Sequence, residues 1–222
     1  IIARSMREAA DEAGVKIVAG DTKVVEGSGG LIITTAGVGA ILGEPVTIAG
    51  ARPGDALLLS GNLGDHHAAI LSSRMGIDNG IVSDDAPLTG MVCALRAAGI
   101  PLHALRDVTR GGLATILSEV AAASGCHIEL EQKHLPVGRA VRGLCSLLGL
   151  DPLYMGNEGK LIAVVPEDRA EEALVTMRAC RYGEDAQRIG SVTAGKGVTL
   201  VTELGGRRIL PPLNGEGLPR IC

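Results

Sequence analysis

The chain has to build its core almost entirely from aliphatic side chains. Its 222 residues contain no Phe and no Trp, and Tyr154 and Tyr182 are its two tyrosines. Hydrophobic residues still make up 46% of the sequence, so Leu, Ile, Val and Ala supply enough apolar surface to fold. A chain of this length forms one large domain, or one domain with part of a second.

Charge and composition argue against two classes of partner. The formal net charge is −4, and acidic and basic residues are interspersed. The basic stripe or aromatic platform that is typical of nucleic-acid binding is absent from the sequence. No apolar run reaches the roughly 20 residues of a membrane-spanning helix. We therefore expect neither nucleic acid nor a membrane as a partner.

The five cysteines favour a reducing, cytoplasmic compartment, because they are widely spaced and include no Cys-x-x-Cys pair. Cys93, Cys145 and Cys180 fall in apolar helical patterns and are predicted to be small core residues. Cys222 is the last residue and follows a segment rich in Pro and Gly. On composition alone, a functional thiol and an incidental exposed one are equally open at this position.

Apolar spacing and turn residues predict an α+β fold. The first helix should end at Gly14, with strands at residues 15–19 and 31–35. Further buried strands are expected at residues 56–60 and 161–165. Helices and strands are mixed without strict alternation, which favours α+β over a doubly wound parallel sheet.

The same patterns divide the chain into three parts. The sequence begins at Ile1 inside a helical pattern, so we expect residues 1–49 to be the remnant of an N-terminal domain. A pattern break around residue 50 opens an α+β domain over residues 50–210. Residues 211–222 contain prolines and glycines that disfavour both helix and central strand, and should form a flexible tail carrying Cys222.

Four polar segments are candidates for chemistry, and each follows or precedes a predicted strand. In the first, Asp21 is a hard oxygen ligand suited to Mg²⁺, and Lys23 can contact phosphate oxygens; an ordinary polar turn is the open alternative. In the second, residues 107–112 precede a helix, whose N-terminal N–H groups suit an anion. Asp107 or Thr109 could equally be the helix cap.

The other two candidates are residues 61–67 and 157–160. Asp65 is read first as a helix cap and second as a ligand. Glu158 lies at the mouth of a buried strand, where partial desolvation would favour work as a general base near neutral pH. The open alternative is a turn in which Glu158 and Lys160 form a surface pair.

Read together, five segments resemble the HypE family of hydrogenase maturation factors, the carbamoyl dehydratases. The segments are Gly20-Asp21-Thr22-Lys23, Gly64-Asp65-His66, Asp107-Val108-Thr109-Arg110-Gly111-Gly112, Asn157-Glu158-Gly159-Lys160 and Pro219-Arg220-Ile221-Cys222. The resemblance runs over the whole chain. It implies the C-terminal α/β domain of the aminoimidazole ribonucleotide synthetase-like fold, together with the end of the N-terminal ATP-binding domain.

The resemblance also implies a reaction and its partners. HypF would place a carboxamide on Cys222, ATP would activate the amide oxygen, and loss of phosphate would leave a thiocyanate. The cyano group would pass to iron on the HypC–HypD complex, for the NiFe hydrogenase site. Full-length members form homodimers, and their N-terminal segment completes the ATP site, so this chain alone should bind ATP weakly and not turn over.

Residue roles follow from the same resemblance. Glu158 would take a proton from nitrogen with Lys23 assisting, and Asp21 would hold Mg²⁺. Asp21, Thr22 and Asp107 would contact the nucleotide. Two alternatives stay open: another ATP-dependent enzyme of the superfamily, such as a selenophosphate synthetase-like kinase, or a scaffold that binds a partner through its Pro-rich tail.

Overall fold

The structure is a computed structural model that describes residues 1–27 and 30–213. The chain divides into two compact units, Ile1–Pro45 and Val46–Cys222. The boundary expected after residue 49 and the tail expected from residue 211 stay predictions. Across the described residues, no helix is both long enough and apolar enough to cross a membrane.

The first unit contains helix α1 (Ile2–Ala13), which ends as predicted at Gly14 in the left-handed conformation with φ 69°. The strands predicted at residues 15–19 and 31–35 are wrong, because none of the described residues of this unit forms a strand. A strand is defined by backbone pairing with a neighbouring strand, and neither segment pairs in the described part of the chain. Val18 and Ile32 are accordingly exposed.

The second unit is a mixed sheet with helices on both faces. Its strands are β1 (Asp55–Leu59), β2 (Ala104–Asp107), β3 (His127–Glu131), β4 (Leu161–Pro166), β5 (Gln187–Thr193), β6 (Gly197–Val201) and β7 (Arg207–Ile209). Its helices are α2 (Asp65–Met75), α3 (Thr89–Ala97), α4 (Gly112–Ser124), α5 (Arg139–Leu148) and α6 (Ala170–Arg178). Four short 3₁₀ turns lie at Ile48–Gly50, Gln132–His134, Pro152–Tyr154 and Glu167–Arg169.

The strand order is β2-β4-β1-β5-β3-β6-β7. Among the described strands, β3 and β6 pair in parallel, and every other neighbouring pair is antiparallel. The α+β class is therefore confirmed. β7 was not predicted, since its three residues are exposed and carry no alternating pattern.

Burial on both faces explains why the central strands read as continuous apolar runs. All five residues of β1 are buried. Leu57 and Leu59 pack into the core cluster that contains the buried side of α4, whereas Ala56 and Leu58 pack with residues of α3 and α6 on the opposite face. This alternation follows from the two-residue period of a strand.

Helices α2 and α5 share a smaller apolar cluster, in which Cys145 is buried beside Met155. Cys145 thus has the core position predicted for it. The same prediction is wrong for Cys93, which is exposed. Helix α3 buries Met91 and Leu95 four positions apart, and Cys93 lies between them on the other side of the helix.

Candidate active site

Three of the predicted polar segments meet at one end of the sheet. β1 and β2 both run antiparallel to β4, with Leu59 opposite Ile162 and Asp107 opposite Leu161. The ends of β1 and β2 therefore lie beside the start of β4. This geometry brings together the loop after β1, the loop after β2 and the loop before β4.

Asn157 joins these three loops. Its side chain is fully buried. Its Oδ1 accepts a hydrogen bond from the Gly64 N–H at 2.8 Å, and its Nδ2 donates to the carbonyl oxygens of Val108 at 3.0 Å and Met155 at 3.2 Å. A buried amide is stable only when its polar atoms are satisfied, so this side chain ties the three backbones to one arrangement.

Lys160, three residues later, forms a buried ion pair with Asp84. The Lys160 Nζ lies 3.0 Å from Asp84 Oδ2, and the two side chains are 9% and 3% exposed. The other carboxylate oxygen, Oδ1, accepts a hydrogen bond from the backbone N–H of Glu158 at 3.0 Å. The surface pair of Glu158 with Lys160, considered from sequence, is therefore not formed.

The Glu158 carboxylate is exposed in this unit, which corrects the expectation that it is partly desolvated. The buried charge of the segment is Lys160, because its aliphatic stem passes under Gly61 at the end of β1. Glu158 points out of a loop whose backbone is held on both sides. The side chain is therefore accessible to a group arriving from outside the unit.

An acidic cleft of about 240 Å³ opens next to this loop. Its lining includes Lys160 and the carboxylates of Asp65, Asp84, Asp85, Glu184 and Asp185. Burial raises the pKa of Asp65 above its usual value, and the neighbouring Asp84 and Asp185 raise it further, while Lys160 lowers it. The surroundings of Asp65 thus disfavour the ionised form of its carboxyl group.

Asp65 and Asp107 were considered as helix caps, but neither of them caps a helix. The residue before α2 is Gly64 and the residue before α4 is Gly111, both in the left-handed conformation without a side-chain cap. Asp65 is the first residue of α2. Asp107 is exposed, pairs with the Arg106 guanidinium and accepts a hydrogen bond from the Thr109 hydroxyl at 3.1 Å.

Asp21, Thr22 and Lys23 belong to the first unit, whereas Glu158 and Asp107 belong to the second. The three residues of the first unit are exposed, and the Lys23 Nζ lies 3.6 Å from Asp21 Oδ2. The described residues contain no group of three or more side chains arranged to hold a metal ion. A single carboxylate still fits Mg²⁺, which in nucleotide sites takes one or two carboxylates and completes its shell with water and phosphate oxygens.

Cys222 lies outside the described residues, as does the rest of Pro219-Arg220-Ile221-Cys222. The last described residues are held beside the candidate site. The Tyr154 hydroxyl donates to the Pro211 carbonyl at 2.9 Å, and the Leu213 N–H donates to the Thr115 hydroxyl oxygen at 3.3 Å. Thr115 is in the first turn of α4, directly after the loop that contains Thr109.

Sequence reasoning missed Asp84, Thr115 and Tyr154. The available signal for Asp84 was the adjacent pair of carboxylates Asp84-Asp85, which lies between α2 and α3. No pattern marked Thr115 or Tyr154, because each acts through a partner that is distant in sequence.

The fold and this end of the sheet define a class of protein. Residues 52–203 match the family of AIR synthase related proteins, C-terminal domain. A more particular likeness extends over the whole chain. The carbamoyl dehydratase HypE of Azotobacter vinelandii is 50% identical over 228 residues, which cover 100% of this chain and 67% of that protein.

Solved structures agree. A crystal structure of HypE in complex with ATP is 45% identical, with a TM-score of 0.89, and the match covers 98% of this chain and 68% of the other. A HypE–HypF complex is 42% identical with a TM-score of 0.86, covering 96% and 71%. The chain belongs to the HypE family of carbamoyl dehydratases. It spans about two thirds of the length of the A. vinelandii relative.

Proposed function

We propose that the protein carrying this chain is an ATP-dependent enzyme that dehydrates an S-carboxamide on Cys222 to a thiocyanate, and so supplies the cyanide ligand of the NiFe hydrogenase iron centre. The observation that carries the proposal is the exposed Glu158 carboxylate, presented by a loop whose neighbours Asn157 and Lys160 are both buried and bonded. A general base requires this combination of access and fixed position.

The chemistry sets the roles of the residues. The amide oxygen attacks the γ-phosphorus of ATP and releases ADP, while nitrogen gives up one proton. The carbon–oxygen bond then breaks, phosphate leaves, and the second proton on nitrogen is removed to form S–C≡N. We assign proton removal to Glu158 assisted by Lys23, because a carboxylate accepts protons and an ammonium stabilises developing negative charge.

Nucleotide binding is assigned to Asp21, Thr22 and Asp107. The ATP complex of the HypE structure supports a nucleotide site in this family. Asp21 would hold Mg²⁺, and that ion would neutralise charge on the transferring phosphate oxygens. Thr22 and Asp107 offer oxygen atoms of the kind that contact ribose, phosphate or metal-bound water.

Cys222 has to reach this chemistry from the end of the chain. Pro211 and Leu213 are held by Tyr154 and Thr115, next to the loop after β2. Nine residues follow Leu213, and a chain of that length spans at most about 30 Å when fully extended. This length sets the upper limit on the distance between Cys222 and Leu213.

The proposed partners are HypF as the carbamoyl donor, a HypC–HypD complex as the cyanide acceptor, and a second copy of the full-length protein. The HypE–HypF complex supports the first of these. The four described cysteines, Cys93, Cys126, Cys145 and Cys180, are free thiols, which is compatible with the cytoplasmic location that we predict.

Mass spectrometry of the C-terminal peptide tests the function. The whole protein is incubated with HypF, carbamoyl phosphate and ATP, with Cys222→Ser as the matched control. We expect Cys222 to gain one carbamoyl group and then to lose one water in an ATP-dependent step. An unmodified Cys222 in the presence of demonstrably active HypF would overturn the proposal.

A further inference from the structure

The Asp84 carboxylate bridges the two residues that flank Gly159. Its Oδ1 accepts from the backbone N–H of Glu158 at 3.0 Å, and its Oδ2 lies 3.0 Å from the Lys160 Nζ. One carboxylate therefore contacts the loop on both sides of Gly159. Asp84 comes from the segment between α2 and α3, 74 positions before Glu158 in the sequence.

The absence of a side chain at Gly159 allows both of these contacts. A Cβ atom at position 159 would lie 1.9 Å from the Asp84 carbonyl oxygen and 3.0 Å from the Ala86 backbone nitrogen. Both are backbone atoms, which cannot move aside as a flexible side chain can. The two segments therefore pack backbone against backbone, and the position of Glu158 depends directly on that of Asp84.

A buried ion pair is a costly way to hold a loop. Removing two charges from water opposes folding, and apolar side chains of similar volume are often at least as stabilising. The ion pair between Asp84 and Lys160 is therefore expected to add little to the free energy of unfolding. With the Asp84 Oδ2 beside the Lys160 ammonium, the Asp84 Oδ1 faces the Glu158 N–H.

We propose that Asp84 is the positioning residue for Glu158: its Oδ1 sets the backbone of the proposed base, and Lys160 holds that carboxylate in place. The proposal rests on the proposed function, in which Glu158 removes a proton from the amide nitrogen. Lys160 acts only through Asp84. If the Glu158 carboxylate is displaced, it no longer reaches the proton on the amide nitrogen. A misplacement of about 1 Å can lower the rate on the order of 100-fold.

The test has to separate this hydrogen bond from the ion pair. A single Asp84 replacement leaves Lys160 buried without a partner, which alone can disturb folding. Two double variants avoid that problem. Asp84→Asn with Lys160→Met removes both charges but keeps an Oδ1 acceptor for the Glu158 N–H. Asp84→Leu with Lys160→Met removes the charges and the acceptor, at nearly the same side-chain size.

The readout is the single-turnover rate of water loss from carbamoylated Cys222 in the whole protein at saturating ATP, with the dissociation constant of ATP measured in parallel. We expect the Leu double variant to be about tenfold slower than the Asn double variant, with unchanged ATP affinity. Asp168→Asn, which changes an exposed carboxylate outside the cleft lining, should stay within about twofold of the parent. Equal rates in the two double variants overturn the proposal.

Glu158→Gln distinguishes this failure from failure of the proposed function. If Glu158→Gln dehydrates at the parent rate, the assignment of Glu158 as the base is wrong and the positioning role falls with it. If Glu158→Gln is slow and the two double variants are equal, only the positioning role is wrong. In the Glu158→Gln background, we expect the two double variants to react at the same rate, since the group that they position is gone.

Discussion

Asn157 accepts a hydrogen bond from the backbone of Gly64, a residue 93 positions earlier in the chain, at 2.8 Å. The same side chain donates to Val108 and Met155. Three loops that are separate in sequence thus share one buried amide. Asn157 is the first residue of the Asn-Glu-Gly-Lys segment and forms this junction. The charged residues of the segment, Glu158 and Lys160, follow it in the sequence.

Replacing Asn157 with Ala should destabilise the protein markedly. The change leaves the Gly64 N–H and the Val108 carbonyl buried without a partner, and we expect the free energy of unfolding to fall by about 2 to 4 kcal/mol. Urea denaturation measures this change. Asn62→Ala is the control, since its hydrogen bond to Asp185 is exposed, and should cost only about 0.5 kcal/mol. Equal losses would show that Asn157 is not a junction.

Gly112 should tolerate no side chain. A Cβ there would lie 2.6 Å from the Leu153 carbonyl oxygen, and its φ is 69°. We expect Gly112→Ala to lower the free energy of unfolding by about 3 kcal/mol or more, from backbone strain and overlap together.

Gly149 provides the matched control for this prediction. It has the same φ of 69°, but a Cβ added there would meet no atom within 4 Å. Gly149→Ala should therefore lower the free energy of unfolding only by the cost of the left-handed conformation, about 1 to 2 kcal/mol. Similar losses in both variants, measured by urea denaturation, would contradict a specific close contact between Gly112 and the turn at Pro152–Tyr154.

His67 should make stability depend on pH. The residue is buried, and its pKa is lowered from 6.5, first by burial and then by His66 and Arg74. Below about pH 6.5 the unfolded chain takes up a proton at this position that the folded chain does not. The contribution of His67 to stability is therefore complete above that pH and is lost as the pH falls.

We expect His67→Asn to have a shallower decline of unfolding free energy between about pH 7 and pH 5 than the parent, because its amide cannot titrate in this range. The amide oxygen can also replace the His67 Nδ1, which lies 3.4 Å from the Gly156 nitrogen. Parallel slopes for the parent and His67→Asn would refute the prediction.

Tyr154→Phe should loosen the last described residues. The Tyr154 hydroxyl donates to Pro211, and burial raises the pKa of this phenol above its usual value, so the hydrogen bond persists at neutral pH. Loss of a bond of about 1 kcal/mol should speed exchange of the Leu213 amide about fivefold. Hydrogen exchange measures this, with the Leu200 amide of β6 as internal reference. Unchanged exchange at Leu213 would mean that Tyr154 does not restrain it.

The elements of the second unit were largely predictable because their signals are local. The buried strand expected at residues 161–165 is observed as Leu161–Pro166. In contrast, residues 31–35 are also rich in β-branched and apolar side chains but form no strand, since a strand needs a pairing partner and composition does not provide one.

The sequence by itself determined the family to which the chain belongs and the order of its candidate segments, because residue types and their order are sequence properties. Only the tertiary structure decided that Asn157 joins three loops, that Lys160 pairs with Asp84 rather than with Glu158, and that Glu158 stays exposed. These contacts depend on where antiparallel strands place the ends of distant segments. A hydrogen bond between residues 93 positions apart leaves no local pattern to read.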